Sequence, residues 1–120
     1  MVTGNYTVYG IPNCNSVQKA RAWLEEQGIP YEFHDYKKKG ITKTKLTAWC
    51  KELGWENVIN KKGTTWRDLD EATKASVNSQ ARAVQIMMEH NSIIKRPIIE
   101  KDGKFIVMRF DEEQYRQIFL

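Results

Sequence analysis

Hydrophobic and polar positions alternate near the start of the chain, then recur at helical spacing, then alternate again. Residues 5–10 alternate with Tyr6 and Val8 on one side, which predicts a first strand. The spacing over about residues 16–27 predicts a helix, whose apolar face consists of Val17, Ala20, Trp23 and Leu24. Residues 31–36 alternate again and predict a second strand. Strand, helix and strand with short links predict a parallel βαβ unit with a right-handed crossover.

In the middle of the chain, apolar residues recur at helical spacing on both sides of a polar loop. Thr42 or Thr44 can cap a helix whose apolar residues recur at i, i+3, i+4 and i+7, namely Leu46, Trp49, Cys50 and Leu53. After a polar loop at 60–65, two further helices are predicted, over about 66–77 and 79–90. The second is expected to bury Ala81, Val84, Met87 and Met88.

The end of the chain predicts a hairpin and a last helix. Ile98 and Ile99 begin one strand and residues 105–108 form the next, joined by a turn in which Asp102-Gly103 supplies positive φ angles. Asp111 can cap the last helix. The whole order predicts an α/β fold, a four-stranded mixed sheet with a helical insertion. We expect a single domain, 1–120, with a core from about 1–38 and 91–120 and an insertion at about 41–90.

Composition and charge exclude several function classes. The chain has 120 residues, 41% hydrophobic and 28% charged, which is typical of one globular domain. Its start does not resemble a secretory signal and its apolar runs are too short to span a bilayer, so we expect a cytoplasmic protein without a membrane partner. The net charge of +4 is small, and Lys37–Lys39 could account for it, so nucleic acid is not an expected partner.

The two cysteines differ in their surroundings. They are not spaced with the two histidines as in a structural zinc site, so no metal is expected, and in a reducing compartment both thiols should be free. Cys50 shares an apolar helical stripe, which predicts a buried small hydrophobe; a resolving thiol is the alternative. A Cys–His hydrolase using His34 or His90 has no second signature.

Cys14 lies where the first strand turns into the first helix. Unpaired backbone N–H groups and the positive end of the helix dipole meet there, which favours a thiolate and lowers the pKa of a cysteine. Asn13, Asn15 and Ser16 are candidate N-caps of this helix, and we predict that Asn13 and Asn15 also help to bind an anion beside Cys14. Residue 17 is Val, so no second thiol follows, and a mixed disulfide at Cys14 would be resolved by glutathione or a partner thiol.

Three strings of residues resemble a known family. They are Tyr9–Cys14 followed by Lys19-Ala20, Gly63-Thr64-Thr65-Trp66-Arg67, and Ile94-Lys95-Arg96-Pro97. Together they resemble the arsenate reductase-like family, which includes the glutaredoxin-linked arsenate reductases, the Spx regulators and the YffB-type proteins. The second string looks closest to the YffB branch. The resemblance covers nearly the whole chain and implies a thioredoxin-like sheet with a helical insertion.

The resemblance also implies a set of site residues. Cys14 matches the nucleophile, Arg67, Arg96 and Arg109 match the oxyanion-binding arginines, and Pro97 matches a cis-proline beside the active site. Arginine suits this role because its planar, always-charged donors fit an oxyanion or a carboxylate. The alternatives are a surface ion pair of Arg67 with a neighbouring aspartate, and plain solvent exposure of Arg96 and Arg109.

The resemblance implies a thiol-dependent reductase without a bound cofactor. Glutathione is its expected co-substrate, alone or through glutaredoxin, and arsenate, another oxyanion or a thiol compound its substrate. Gly10, Val17 and Gln18 depart from the arsenate reductases, which carry a His, a Ser and an Arg there, so the choice among these substrates stays open. The alternative function is an Spx-like regulatory protein that binds RNA polymerase without catalysis.

Overall fold

The computed structural model describes residues 5–120 and contains a four-stranded sheet and eight helices within that range. In chain order the elements are β1 (Tyr6–Gly10), α1 (Asn15–Glu26), β2 (Glu32–Asp35), α2 (Tyr36–Lys39), α3 (Lys43–Leu53), α4 (Trp55–Val58), α5 (Thr64–Arg67), α6 (Glu71–Ser76), α7 (Gln80–Glu89), a 3-10 turn (Asn91–Ile93), β3 (Ile98–Lys101), β4 (Lys104–Met108) and α8 (Glu112–Phe119).

The chain divides into two compact units. Residues up to Asp35 together with Arg96–Leu120 form the sheet unit, and Tyr36–Lys95 form the helical unit. The sheet unit is thus built from both ends of the chain, and the helical unit is inserted between its two halves. That the two units make one domain stays a prediction, and residues 1–4 of the predicted core lie outside the described range.

The strands follow the order β2-β1-β3-β4. β1 pairs with β2 in parallel, whereas β1 with β3 and β3 with β4 are antiparallel pairs. The predicted mixed sheet is therefore confirmed. The predicted hairpin turn is also confirmed, since Asp102 and Gly103 have φ angles of 51° and 80°.

The core of the sheet unit lies between the sheet and helices α1 and α8. As predicted, α1 buries Val17, Ala20, Trp23 and Leu24. The indole of Trp23 meets the ring of Tyr115 of α8 edge-on, with centroids 5.6 Å apart. α8 begins where predicted, because the Asp111 side chain accepts a hydrogen bond from the backbone N–H of Gln114 at 3.0 Å. The start of α8 is thus set locally by its cap, and aromatic packing holds α8 against α1.

Helix α3 of the helical unit is also as predicted. The Thr42 side chain caps it by accepting a hydrogen bond from the N–H of Lys45 at 3.1 Å, and Gly54 ends it with a φ of 86°. Leu46, Trp49 and Cys50 are buried on one face.

The predicted helix over 66–77 is wrong. The segment contains two short helices, α5 and α6, and α4 was not predicted. The break occurs because the carboxylate of Asp70 accepts a hydrogen bond from the N–H of Thr73 at 2.7 Å and so begins a new helix.

The predicted buried face of α7 is partly wrong. Val84 and Met87 are buried as expected, but Ala81 and Met88 are exposed and Ala83 and Ile86 are buried instead. Helical spacing tells which residues share a face, whereas the packing partner decides which face is covered. Within residues 5–120, no helix has both the length and the apolar character needed to cross a bilayer.

Candidate functional site

Strand register brings several predicted residues to one end of the sheet. Gly10, the last residue of β1, pairs with Asp35, and Tyr9 pairs with Ile98 at the start of β3. β4 ends beside the start of β3, and the backbone N–H of Arg109 donates to the carbonyl oxygen of Pro97 at 2.7 Å. The residues that follow β1, precede β3 and follow β4 therefore share this end. They include Cys14, Arg96, Pro97 and Arg109.

Cys14 is the N-cap residue of α1. Its φ and ψ are −101° and 129°, its carbonyl accepts from the N–H of Gln18 at 2.9 Å, and its side chain makes no capping hydrogen bond. The expectation that Asn13, Asn15 or Ser16 would cap this helix is wrong, because the extended backbone of the cap falls on Cys14. The thiol is free and half-buried, so it is available for chemistry at the end of a 12-residue helix.

Helix α1 places no negative charge of its own beside Cys14. The first turn of α1 carries no acidic residue. Asn13 and Asn15 flank Cys14 and are both exposed. A negatively charged thiolate or ligand at this position would meet the positive end of the helix dipole unopposed by the first turn.

The residues that depart from the arsenate reductase pattern make structural contacts in this protein. The side-chain amide of Gln18 donates to the carbonyl oxygen of Pro12 at 3.1 Å and braces the turn before Cys14. Val17 is fully buried, and an ideal Cβ on Gly10 would lie 2.7 Å from its Cγ2 atom. A histidine at position 10 would therefore require Val17 to move.

A backbone hydrogen bond joins Arg109 to Pro97. The Arg96–Pro97 peptide bond is cis, as the resemblance implied, and Pro97 is buried. Arg109 has a φ of 68°, and its carbonyl oxygen accepts a hydrogen bond from the hydroxyl of Tyr115. With both backbone groups engaged, the exposed Arg109 side chain leaves the sheet from a fixed point. Arg96 is half-buried beside Pro97.

Arg67 belongs to the helical unit. It is the last residue of α5 and is exposed. Within that unit no ion pair joins it to Asp68 or Asp70, and the carboxylate of Asp70 is used to cap α6. The predicted surface pair is therefore not formed. The sheet unit gathers Cys14, Arg96, Pro97 and Arg109, whereas Arg67 is carried by the other unit.

Cys50 has the environment of a core residue. It is 1% exposed, and burial raises the pKa of its thiol to about 11, because a thiolate there would lose its hydration. The prediction that Cys50 is a buried small hydrophobe is confirmed.

Sequence reasoning missed a polar pair inside the sheet. The hydroxyl of Tyr9 donates to the carboxylate of Glu100 at 2.9 Å, and both residues are buried. Burial and the neighbouring Glu100 carboxylate raise the pKa of Tyr9 above its usual value. The ring of His34 lies 4.9 Å from that of Tyr9. The sequence signal that could have revealed this pair was Glu100, which directly follows two isoleucines in a strand.

Comparison with known proteins agrees with this architecture. Residues 9–118 match the model of the ArsC family. A protein from Haemophilus influenzae that is described as uncharacterized is 42% identical over 94% of this chain and 97% of its own length. The global transcriptional regulator Spx of Bacillus subtilis is 29% identical over 92% of this chain and 84% of its own length.

Solved structures give the same result. The chain is similar to a protein named YffB, with a TM-score of 0.89 and 43% identity over 96% of this chain and 99% of that one. It is also similar to an arsenate reductase related protein from Brucella melitensis, with a TM-score of 0.78 and 41% identity over 99% of this chain and 98% of that one. A match over residues 9–118, with a mixed sheet and a cysteine at the start of its first helix, makes this chain a member of the ArsC family.

Proposed function

We propose that this protein is a thiol-dependent oxidoreductase in which Cys14 is the nucleophile and glutathione, alone or through glutaredoxin, is the electron donor. The observation that carries the proposal is the free Cys14 thiol at the start of α1, at the same end of the sheet as Arg96, Pro97 and Arg109. Its substrate class is an oxyanion such as arsenate or a glutathione-containing disulfide. A cytoplasmic location, where glutathione is abundant, is part of the proposal.

The chemistry follows from a single thiol without a neighbouring resolving cysteine. With a disulfide substrate, the Cys14 thiolate attacks one sulfur, a mixed disulfide forms and the other sulfur leaves as a thiolate. A second glutathione or a glutaredoxin thiolate then attacks the glutathione sulfur of that mixed disulfide. This step forms a new disulfide and returns Cys14 as a thiolate.

An oxyanion substrate requires the same two-electron balance. The Cys14 thiolate bonds to the central atom and displaces one oxygen, which leaves as water after taking up protons. Attack by glutathione on the Cys14 sulfur then forms the mixed disulfide, and the oxyanion departs with the bonding electron pair, reduced by two electrons. Arginine side chains would hold the remaining oxygens during both steps.

The test is a coupled assay with glutathione, glutathione reductase and NADPH, run with hydroxyethyl disulfide in the absence of glutaredoxin, which would reduce this disulfide by itself, and with arsenate in the presence of glutaredoxin; the rate without the protein is subtracted in each case. We expect Cys14→Ser to abolish substrate-dependent NADPH consumption and Cys50→Ser, the matched control, to retain it. Turnover that survives Cys14→Ser would contradict the proposal. Turnover with the disulfide but not with arsenate would keep the reductase and remove arsenate as a substrate.

The alternative function is regulatory. It is favoured by the relatives named Spx, which match 92% of this chain, and would make the protein a partner of RNA polymerase. Binding of the purified chain to purified RNA polymerase, unchanged in Cys14→Ser and without glutathione-dependent turnover, would support it. Turnover without polymerase binding would support the reductase instead.

A further inference from the structure

The link between β4 and α8 is held at Arg109 by one hydrogen bond at each of its backbone groups. The N–H of Arg109 donates to the carbonyl oxygen of Pro97 at 2.7 Å, and its carbonyl oxygen accepts from the hydroxyl of Tyr115. Arg109 has a φ of 68°, in the left-handed region that residues other than glycine rarely adopt. Such a conformation persists only where the surrounding structure fixes it. These two hydrogen bonds hold the backbone of Arg109 in that conformation.

Tyr115 is a rigid donor for the second of these bonds. It is fully buried in the sheet unit, and its ring meets those of Trp23, Phe110 and Phe119 edge-on, with centroids between 4.9 and 5.6 Å apart. Burial raises the pKa of the Tyr115 phenol above its usual value, so the hydroxyl keeps its proton at neutral pH. The packing of the core therefore sets the position of the hydroxyl that holds Arg109.

The side chain of Arg109 is available to a ligand. It is exposed, and within residues 5–120 it forms no ion pair or hydrogen bond. Arg109 lies at the end of the sheet unit that also carries Cys14 and Pro97. Since no neighbouring side chain in this range orients the guanidinium, its direction depends on the backbone from which it leaves.

We propose that Tyr115 is a positioning residue: its buried hydroxyl, by holding the carbonyl group of Arg109, directs the Arg109 guanidinium towards a carboxylate of glutathione at the Cys14 end of the sheet. The inference rests on the proposed function, in which glutathione is the electron donor. A planar guanidinium binds a carboxylate through two parallel hydrogen bonds, so its direction matters as well as its charge. Because Tyr115 is fully buried, it acts on glutathione only through Arg109.

The test compares Tyr115→Phe, which removes only the hydroxyl, with Tyr31→Phe as the matched control. Tyr31→Phe also removes a hydroxyl hydrogen bond, to Glu25 at 3.1 Å, but Tyr31 precedes β2 and so lies at the opposite end of the sheet from Cys14. NMR titration with S-methylglutathione, which keeps both carboxylates but cannot form a disulfide, gives a Kd without turnover. We expect Tyr115→Phe to raise this Kd about three- to tenfold, because a misdirected guanidinium binds less well, and Tyr31→Phe to leave it within about twofold.

Arg109→Ala tests whether the hydroxyl acts through the arginine. Arg109→Ala alone should raise the Kd at least about tenfold, since a charged hydrogen-bond donor is lost. Adding Tyr115→Phe to it should raise the Kd no further, because no guanidinium is left to direct. Effects of the two substitutions that multiply would overturn the inference. An unchanged Kd in either single variant would overturn it too, as would a wild type that does not bind S-methylglutathione.

A purely structural role of Tyr115 predicts a different pattern. Both tyrosine variants keep their rings, so both should stay folded with a lower melting temperature, because each loses a hydrogen bond. Hydrogen exchange at the Arg109 amide should be faster in Tyr115→Phe and unchanged in Tyr31→Phe, since only the first hydroxyl holds that backbone. If the two variants differed neither in Kd nor in this exchange rate, Tyr115 would be a packing residue and the inference would be overturned.

The failure of this inference can be told apart from the failure of the proposed function. The Kd for S-methylglutathione does not depend on turnover, whereas the reductase proposal is judged by the loss of turnover in Cys14→Ser. Turnover that requires Cys14, with an unchanged Kd in Tyr115→Phe, would remove only the positioning role. A Kd that depends on both Tyr115 and Arg109, without turnover that requires Cys14, would keep the positioning role and remove the reductase.

Discussion

Gly10 and Val17 are in contact so close that residue 10 has no room for a side chain. An ideal Cβ on Gly10 would lie 2.7 Å from Cγ2 and 3.3 Å from Cγ1 of Val17. Val17 is fully buried, and its β-branched side chain has few alternative rotamers. The pair therefore sets how closely β1 approaches α1, and with it the path of the turn that carries Cys14.

We expect Gly10→Ala to lower the free energy of unfolding by about 1–3 kcal/mol, as overpacked cores do. In the double variant Gly10→Ala/Val17→Ala the new methyl group has space, so the two substitutions should be less than additive. Urea unfolding of the four proteins measures this coupling. Strict additivity would mean that the two residues do not limit each other.

The two cysteines should differ strongly in alkylation. A thiol with a pKa of about 11 is a thiolate in only about one molecule in a thousand at pH 8. Cys50 is also shielded from reagent, whereas Cys14 is half-buried. We expect iodoacetamide at pH 8 to label Cys14 at least about tenfold faster, as measured by peptide mass spectrometry. Both should be labelled alike in denaturant, and equal labelling in the folded protein would contradict the assignment.

Cys50 also makes stability depend on alkaline pH. Its pKa is raised from 9.0 to about 11 in the folded chain, so the unfolded chain releases this proton first as the pH rises. The contribution is fully present below pH 9.0 and is lost as the pH rises towards about 11. We therefore expect the free energy of unfolding to fall less steeply in Cys50→Ala than in the wild type between about pH 9 and 10.

Denaturant unfolding at pH 8, 9 and 10 checks this difference in slope. Above that range Tyr9 and Tyr115 contribute equally in both proteins, because burial raises the pKa of each phenol. Parallel pH profiles for the wild type and Cys50→Ala would show that the Cys50 thiol has the same pKa in the folded and the unfolded chain, which would contradict this prediction.

We expect the backbone conformation of Arg109 to lower the stability of the fold, while its side chain contributes to substrate binding. A non-glycine residue in the left-handed region costs about 1–2 kcal/mol, and Arg109 has a φ of 68°. We expect Arg109→Gly to raise the free energy of unfolding by up to about 1 kcal/mol, since glycine accepts this conformation but loses more chain entropy. If Arg109 binds the substrate anion, the same variant should have a higher KM in the coupled assay.

Arg109→Ala is the control for that experiment, because it removes the guanidinium and keeps the strained backbone. It should raise KM as Arg109→Gly does, without the gain in stability. Equal stability of the two variants would show that the backbone conformation at residue 109 costs nothing.

Much of the sheet unit was predicted correctly from turn and cap residues in short stretches of sequence. The hairpin depends on Asp102-Gly103, the last helix on the Asp111 cap, and the position of Cys14 on a strand followed directly by a helix. These features depend on residues close together in the chain, so their signals are present in the sequence. The helical unit was predicted less well, because short helices with competing caps, such as the one at Asp70, break without a change in apolar spacing.

The sequence by itself determined the order of the four strands and of helices α1, α3, α7 and α8, the single thiol at the start of α1 and the buried environment of Cys50, since each depends on short-range spacing. Only the tertiary structure decided that β3 lies beside β1, that the backbone of Arg109 is fixed by Pro97 and Tyr115, and that Val17 fills the space above Gly10. These contacts join residues far apart in the chain or on different elements. Apolar spacing defines a face, but only folding chooses the partner that covers it.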